Sequence, residues 1–300
     1  MNQSTSNKFI FKKEREFGDI ISDTFSFFSK HYKVLSKIFL KFIGPFVLLT
    51  IFASTLYQYK TGDLFTDITV ISSNPDSVLR ALSENLLLLL FYLLTSLATT
   101  TIIYGTVIHA VKSYIKNDGE FLDADISEGL KKDFFKMLIY FIISGIVAIV
   151  GFALCILPGI YISVVLTPGI VMLVMEDKSA TDAFSKSFDL IKDNWWITFA
   201  TFLVFSILIG ILGFVFQIPT FIYSFIEGFT AIESAQNGSL EVTEMYQDWL
   251  FLLFTAIGVL GQYFLSIFTV IMVILVYFNL SEQQNFSGTY EQIDQIGNDV

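Results

Sequence analysis

The run MLIYFIISGIVAIVGFALCILPGIYISVVLTPGIVMLVM, Met137 to Met175, decides the fold. Its 39 residues include no Asp, Glu, Lys, Arg or His. A single helix of that length would reach ~58 Å, about twice the ~30 Å of a bilayer's hydrocarbon. The run therefore predicts two crossings joined by a tight turn, with Leu157-Pro158-Gly159 near its middle as the turn. Proline cannot continue the helical ladder, and glycine permits the reversal. A buried helix pair in a soluble protein is the competing reading. It fails because further runs of similar apolarity would also need enclosing.

Those runs lie on both sides. Upstream, crossings are predicted at 38–57, kinked by Pro45, and at 86–108. Downstream they are predicted at 195–216 and 249–280, the last bending near Gly258 and Gly261. Polar or interfacial segments separate them at 58–85, 112–136, 177–194 and 217–248. With 54% hydrophobic residues and a mean hydropathy of +0.65, a chain of 300 residues has too little interior to hide its apolar surface, whereas lipid solvates it. The predicted class is all-α: a polytopic integral membrane protein with six transmembrane helices and short amphipathic cytoplasmic helices. Its expected parts are a basic segment at 1–37, a six-helix membrane domain at 38–280 and a polar acidic tail at 281–300. No cleavable signal is expected, because the first apolar run starts late and is long.

Charge placement sets the expected orientation. Sixteen of the 18 Lys and Arg fall in the first 41 residues, the 112–136 segment and the 177–194 segment. The opposite segments hold Lys60 and Arg80 and are otherwise acidic. Cytoplasmic loops keep the positive excess, so both termini are expected inside a cell membrane. The net charge of −10 gives no reason to expect nucleic acid. Within Phe17–Tyr32, Ile20, Ile21, Phe25, Phe28 and Tyr32 share one helical face. Lys12, Lys13, Arg15, Lys30 and Lys33 surround that face and are the candidate contacts to lipid headgroups. A solvated helix packed on the bundle is the alternative for the same pattern.

Apart from Lys41 at the entry of the first, the spans so placed contain no Asp, Glu, Lys or Arg, which argues against ion-coupled pumping. Their candidate polar contacts are Thr95, Thr99 and Thr106 in the second crossing, with Gln262 and Ser266 in the sixth. Pinning these two helices together is favoured over lining a solute route. His109 and Glu176 read as helix-end residues, and Cys155 as an inert buried thiol. No phosphate loop, metal-ligand cluster or nucleophile elbow occurs, so no cofactor or catalytic residue is expected. Three short tetrads, Ser22-Asp23-Thr24-Phe25, Ser127-Glu128-Gly129-Leu130 and Thr181-Asp182-Ala183-Phe184, leave open a threefold repeat of helix, crossing and return crossing.

Leu157-Pro158-Gly159-Ile160-Tyr161, then Glu176, then Ala183-Phe184-Ser185-Lys186-Ser187, then Trp195-Trp196 carry a resemblance. Together they resemble the bacterial membrane proteins related to the membrane domain of some glycerophosphodiester phosphodiesterases, with their stand-alone relatives of unknown function. The match is closest over 137–216, and Lys186 departs from an expected Arg. The resemblance implies the fold and little about activity. Nothing here matches the phosphodiesterase's soluble catalytic barrel. A label of carotene-cleaving monooxygenase attached to some such proteins implies a four-histidine iron site, which two histidines cannot supply.

The expected function is therefore a non-enzymatic multi-pass membrane protein that organises lipid or partner proteins. The alternative is a transporter for an apolar or lipid-like solute. Membrane lipids are the expected partners; a protein partner or a homo-oligomer is left open.

Overall fold

The computed structural model describes residues 8–66, 75–236 and 248–286. Among them the chain is helical, with no strand. Helix α1 (Phe17–Ile38) passes through a π-helical turn (Phe39–Ile43) into α2 (Gly44–Thr66). Then come α3 (Pro75–Lys116), α4 (Asp123–Leu154), α5 (Ile156–Leu166), α6 (Gly169–Met175), α7 (Ala180–Ile191), α8 (Trp195–Gln236) and α9 (Trp249–Asn285). Six helical runs are long and apolar enough to cross a bilayer: Phe17–Lys60, Asn85–Lys116, Asp123–Leu154, Ile156–Met175, Trp195–Thr230 and Trp249–Asn285. Residues 67–74 of the polar 58–85 segment, most of the acidic 230–248 stretch and the tail beyond 286 lie outside the described residues.

Local chemistry explains where the elements depart from the predicted boundaries. The predicted surface helix and the first candidate span follow one another with no intervening loop. Pro45 lacks an N–H, and its ring would strike the Lys41 carbonyl. The wider π turn at Phe39–Ile43 absorbs that conflict just upstream of the proline. The polar stretch 112–136 is mostly helix, because α3 runs to Lys116 and α4 starts at Asp123. Between them Gly119, at φ 102°, donates its N–H to the Tyr114 carbonyl, a glycine-dependent helix stop. Ser113 Oγ then accepts the Leu122 N–H at 3.0 Å.

The hairpin inside Met137–Met175 breaks at Cys155 and not at Pro158. Cys155 is fully extended (φ −170°, ψ 155°), and α5 begins at the next residue. Pro158 thus sits in the first turn of α5, where its missing N–H has no intrahelical acceptor to lose. Gly159 is needed for the close return: a Cβ there would lie 2.4 Å from the Phe152 ring. A second break, at Thr167-Pro168, was not anticipated and splits the fourth candidate span into α5 and α6. In the last pair, Pro219 stays inside one continuous α8. Helix α9 runs unbroken through Gly258 and Gly261. They admit Gln217 and Phe216, and a Cβ on Gly261 would sit 2.3 Å from the Phe216 ring.

By backbone proximity the chain divides into two compact units, one of residues 1–43, 100–208 and 266–300, the other of 44–99 and 209–265. In the first, Phe11, Phe27 and Tyr114 form an aromatic centre, with ring centroids 5.0 Å (Phe11–Phe27) and 5.6 Å (Phe27–Tyr114) apart. Ile170–Val174 of α6 and Val270–Val276 of α9 are buried on every side, as expected of helices that are apolar all round. Helix α7 packs on α4, α5 and α6 through Ala183, Ser187, Leu190 and Ile191. In the second unit only narrow faces are enclosed, such as Val47, Thr50 and Ala53, while Leu87, Leu94 and Ile211 face outward.

Candidate functional site

The basic segment ahead of α1 is tied down by its one arginine. The guanidinium of Arg15 meets Asp23 Oδ2 at 2.9 Å through Nε. It also donates to the carbonyls of Phe11 at 2.7 Å and Ile10 at 2.5 Å. The Arg15 backbone N–H donates to Asn279 Oδ1 on α9 at 2.7 Å. Burial pulls the Arg15 guanidinium down from its ordinary range, and the Asp23 and Asp19 carboxylates oppose that pull. The segment also docks through the Phe9 N–H, which donates to the Tyr114 hydroxyl at 2.9 Å. Glu16 and Asp19 then close α1 with a reciprocal capping box.

Of the five candidate headgroup contacts, Arg15 differs from the rest. Its side chain is buried and its donors are taken by Asp23 and by backbone carbonyls, so it anchors the segment. Lys13, Lys30 and Lys33 are exposed and Lys12 is half-buried. Lys13 pairs with Asp23 at 3.2 Å, and the Lys33 ammonium lies 5.9 Å from the centre of the Tyr32 ring.

The hydroxyls of the candidate spans meet other partners than those predicted. Thr99 Oγ1 lies 2.7 Å from Thr50 Oγ1 and 3.1 Å from the Phe46 carbonyl, so it joins α3 to α2. Thr95 donates to the carbonyls of Phe91 and Tyr92 in its own helix. Contact between α3 and α9 runs through neighbouring residues, Ser96 and Tyr263, with hydroxyl oxygens 3.3 Å apart. Gln262 is exposed and faces Gly213 of α8. Ser266 is half-buried. Thr106 is fully buried, and its hydroxyl has no hydrogen-bond partner among the described residues.

Two features escaped the sequence. First, Asp133 was assigned to a loop but lies on α4, 2% exposed, with Oδ2 3.4 Å from His109 Nε2. The imidazole rests on Gly129, where a Cβ would fall 2.2 Å from the ring. The available signal was a glycine one helical turn before an acid. Second, Tyr140 on α4 donates to the Leu166 carbonyl at 2.6 Å, at the end of α5 ahead of Pro168. Ser187 Oγ of α7 is 3.3 Å from that tyrosine oxygen, and Gly169 leaves the room.

Around the first feature, Lys132 and Lys136 both bind Asp177, at 2.6 and 2.9 Å, and hold its carboxyl at about 2. Glu176 does more than close a helix: it accepts from the Tyr277 hydroxyl at 2.8 Å and pairs with Lys178. Cys155 is exposed, contrary to the expected buried thiol. Among the described residues no three His, Cys, Asp or Glu side chains are grouped to hold a metal.

The residues of the quoted motif also converge. The Tyr161 and Trp195 rings stack at 5.6 Å, and Ser187 meets Tyr140. A family model described as Domain of unknown function (DUF7847) matches residues 45–280. The chain belongs to this family. A DUF7847 membership links it to no phosphodiesterase membrane domain, so that finer resemblance stays an expectation from sequence. Searches of curated proteins and of solved structures find no match.

Proposed function

We propose that this DUF7847 protein is a non-enzymatic, six-crossing protein of the cell membrane that gathers anionic lipid, and through it partner proteins, at its cytoplasmic face. The observation that carries this reading is the docked N-terminal segment. Arg15 is spent on internal bonds, while Lys12 and Lys13 lie on the docked segment and Lys30 and Lys33 on α1, all but Lys12 exposed. Each lysine near an anionic surface contributes roughly 1 kcal/mol there. The outward-facing apolar side chains of the candidate spans support lipid as their solvent. The excess of Lys and Arg in one set of loops supports an orientation with both termini inside.

The full chain in nanodiscs of mixed neutral and anionic lipid tests this. Co-purifying anionic lipid should fall when Lys12, Lys13, Lys30 and Lys33 are all made Gln. An unchanged lipid ratio would remove the basis of the proposal. Tags inserted at Ser72 and after Val300 should answer from opposite compartments.

A transporter for a lipid-like solute is the second reading. It is favoured by a cavity of about 240 Å³ lined by Tyr104, Tyr140, Ser144, Ser163 and Thr167. The Ser144 hydroxyl there has no partner among the described residues. Solute flux in proteoliposomes that drops in Ser144→Val would support this reading over the first.

A further inference from the structure

A second cavity, of about 380 Å³, opens beside the Arg15 anchor. Its walls come from the start of α1, the start of α8 and the end of α9. Three kinds of surface meet there. The first is a set of donors with no acceptor. Thr198 is 3% exposed, and its hydroxyl has no partner among the described residues. This departs from the habit of the chain: Thr24, Thr50, Thr95, Thr167, Thr201 and Thr255 all donate back to the carbonyl four residues earlier. Asn279 is 7% exposed, and its Oδ1 is taken by the Arg15 N–H. That bond fixes the amide, so Nδ2 remains as a donor with no acceptor among the described residues. Helix α8 starts at the same wall, just after Asn194, and no acceptor among the described residues meets the N–H groups of Trp195, Trp196 and Ile197.

The second surface is the Glu16 carboxylate, which lines the cavity and is exposed. The third is apolar: Phe17, Ile20, Ile197 and Leu280. Thr198 Oγ1 and Asn279 Nδ2 stand at the cavity and are met by no acceptor among the described residues. Two such donors, on residues more than nine-tenths buried, suit a ligand rich in acceptor oxygens. A carboxylate beside them asks for a cation on the same ligand, and the apolar wall asks for a hydrocarbon start.

We infer that this cavity binds the headgroup of a zwitterionic phospholipid. Its phosphate meets Thr198, Asn279 and the start of α8, and its primary ammonium meets Glu16. The inference rests on the membrane reading above but uses none of the exposed lysines, so the two fail separately.

The experiment is native mass spectrometry of the full chain released from detergent micelles doped with phosphatidylethanolamine, phosphatidylcholine or phosphatidylglycerol. Soluble glycerophosphoethanolamine is the fourth arm, and it separates a lipid from a free phosphoester. Phosphatidylethanolamine should be retained over the others. Thr198→Val, which keeps the side-chain shape, should weaken retention by about tenfold, the loss expected for a charge-assisted hydrogen bond. Glu16→Gln should erase the preference for ethanolamine over glycerol while leaving a lipid bound. Equal retention by wild type and Thr198→Val overturns the site, and equal retention of all three lipids overturns the headgroup assignment. Glycerophosphoethanolamine binding as tightly as the lipid overturns the lipid source. A helical circular-dichroism spectrum equal to wild type confirms that each variant is folded.

Discussion

The two compact units solve the same problem with different chemistry. The unit of residues 1–43, 100–208 and 266–300 buries charged and ring groups: Arg15 on backbone carbonyls, His109 against Asp133, Tyr140 on a freed carbonyl. The described crossings in the unit of 44–99 and 209–265 carry no Asp, Glu, Lys or Arg between 44 and 57, 85 and 99, 209 and 226, or 249 and 265. There the specific contacts are hydroxyl pairs and glycines beneath larger side chains. The lesson concerns replaceability. A buried ion or clamped ring leaves an unpaired group behind when one partner is lost, and that costs several kcal/mol. A hydroxyl pair between helices in lipid contributes about 0.6 kcal/mol on average, because each hydroxyl can turn back to its own helix.

Substitutions on the two sides put this contrast at risk. Arg15→Ala should have the largest effect, a loss of about 3–5 kcal/mol. Thermal unfolding in detergent would read it, along with faster proteolysis of the segment before α1. A loss no larger than that at Thr99 would erase the distinction. Next comes Gly129→Ala, which drives a methyl group into the His109 ring. Overpacking of this kind costs about 1–3 kcal/mol, and the same melting assay measures it. Thr99→Val, which breaks the bond to Thr50, should cost about 0.6 kcal/mol. Gly210→Ala should move the other way. A Cβ there meets nothing within 4 Å, so removing a helical glycine should stabilise by about 0.5–1 kcal/mol.

The smallest effect should be that of pH on the exposed Asp177 bridges. The Asp177 carboxyl is depressed from 3.8 to about 2 by Lys132 and Lys136. Its contribution is therefore whole above about pH 4 and is lost as pH falls towards 2. Melting temperatures of the wild type and Asp177→Asn should run parallel above pH 5 and converge below it.

How legible was this in the sequence? The six apolar runs were, because hydrocarbon length and the absence of charge leave few readings of 137–175 or 249–280. Helix ends were less so. The polarity of 112–136 suggested a loop, yet a helix tolerates a polar face, and α3 and α4 run through most of that stretch. Pro158 was taken as the break itself, although proline is equally at home just inside a helix start. Thr167-Pro168 was passed over because hydropathy does not change across it. In the candidate site, the basic residues were visible but their directions were not. Nothing in the spacing says that Arg15 turns inward while Lys13 turns out, since that depends on Asn279, 264 positions away. The hydroxyls were similarly found and then mispaired.

Cys155, the extended residue between α4 and α5, is the chain's single cysteine, and it is exposed. A thiol-reactive dye added to the unaltered protein therefore attaches at one known point, with no cysteine-free background to engineer first. A polarity-sensitive fluorophore attached there would register whether that bend rests among acyl chains or in water.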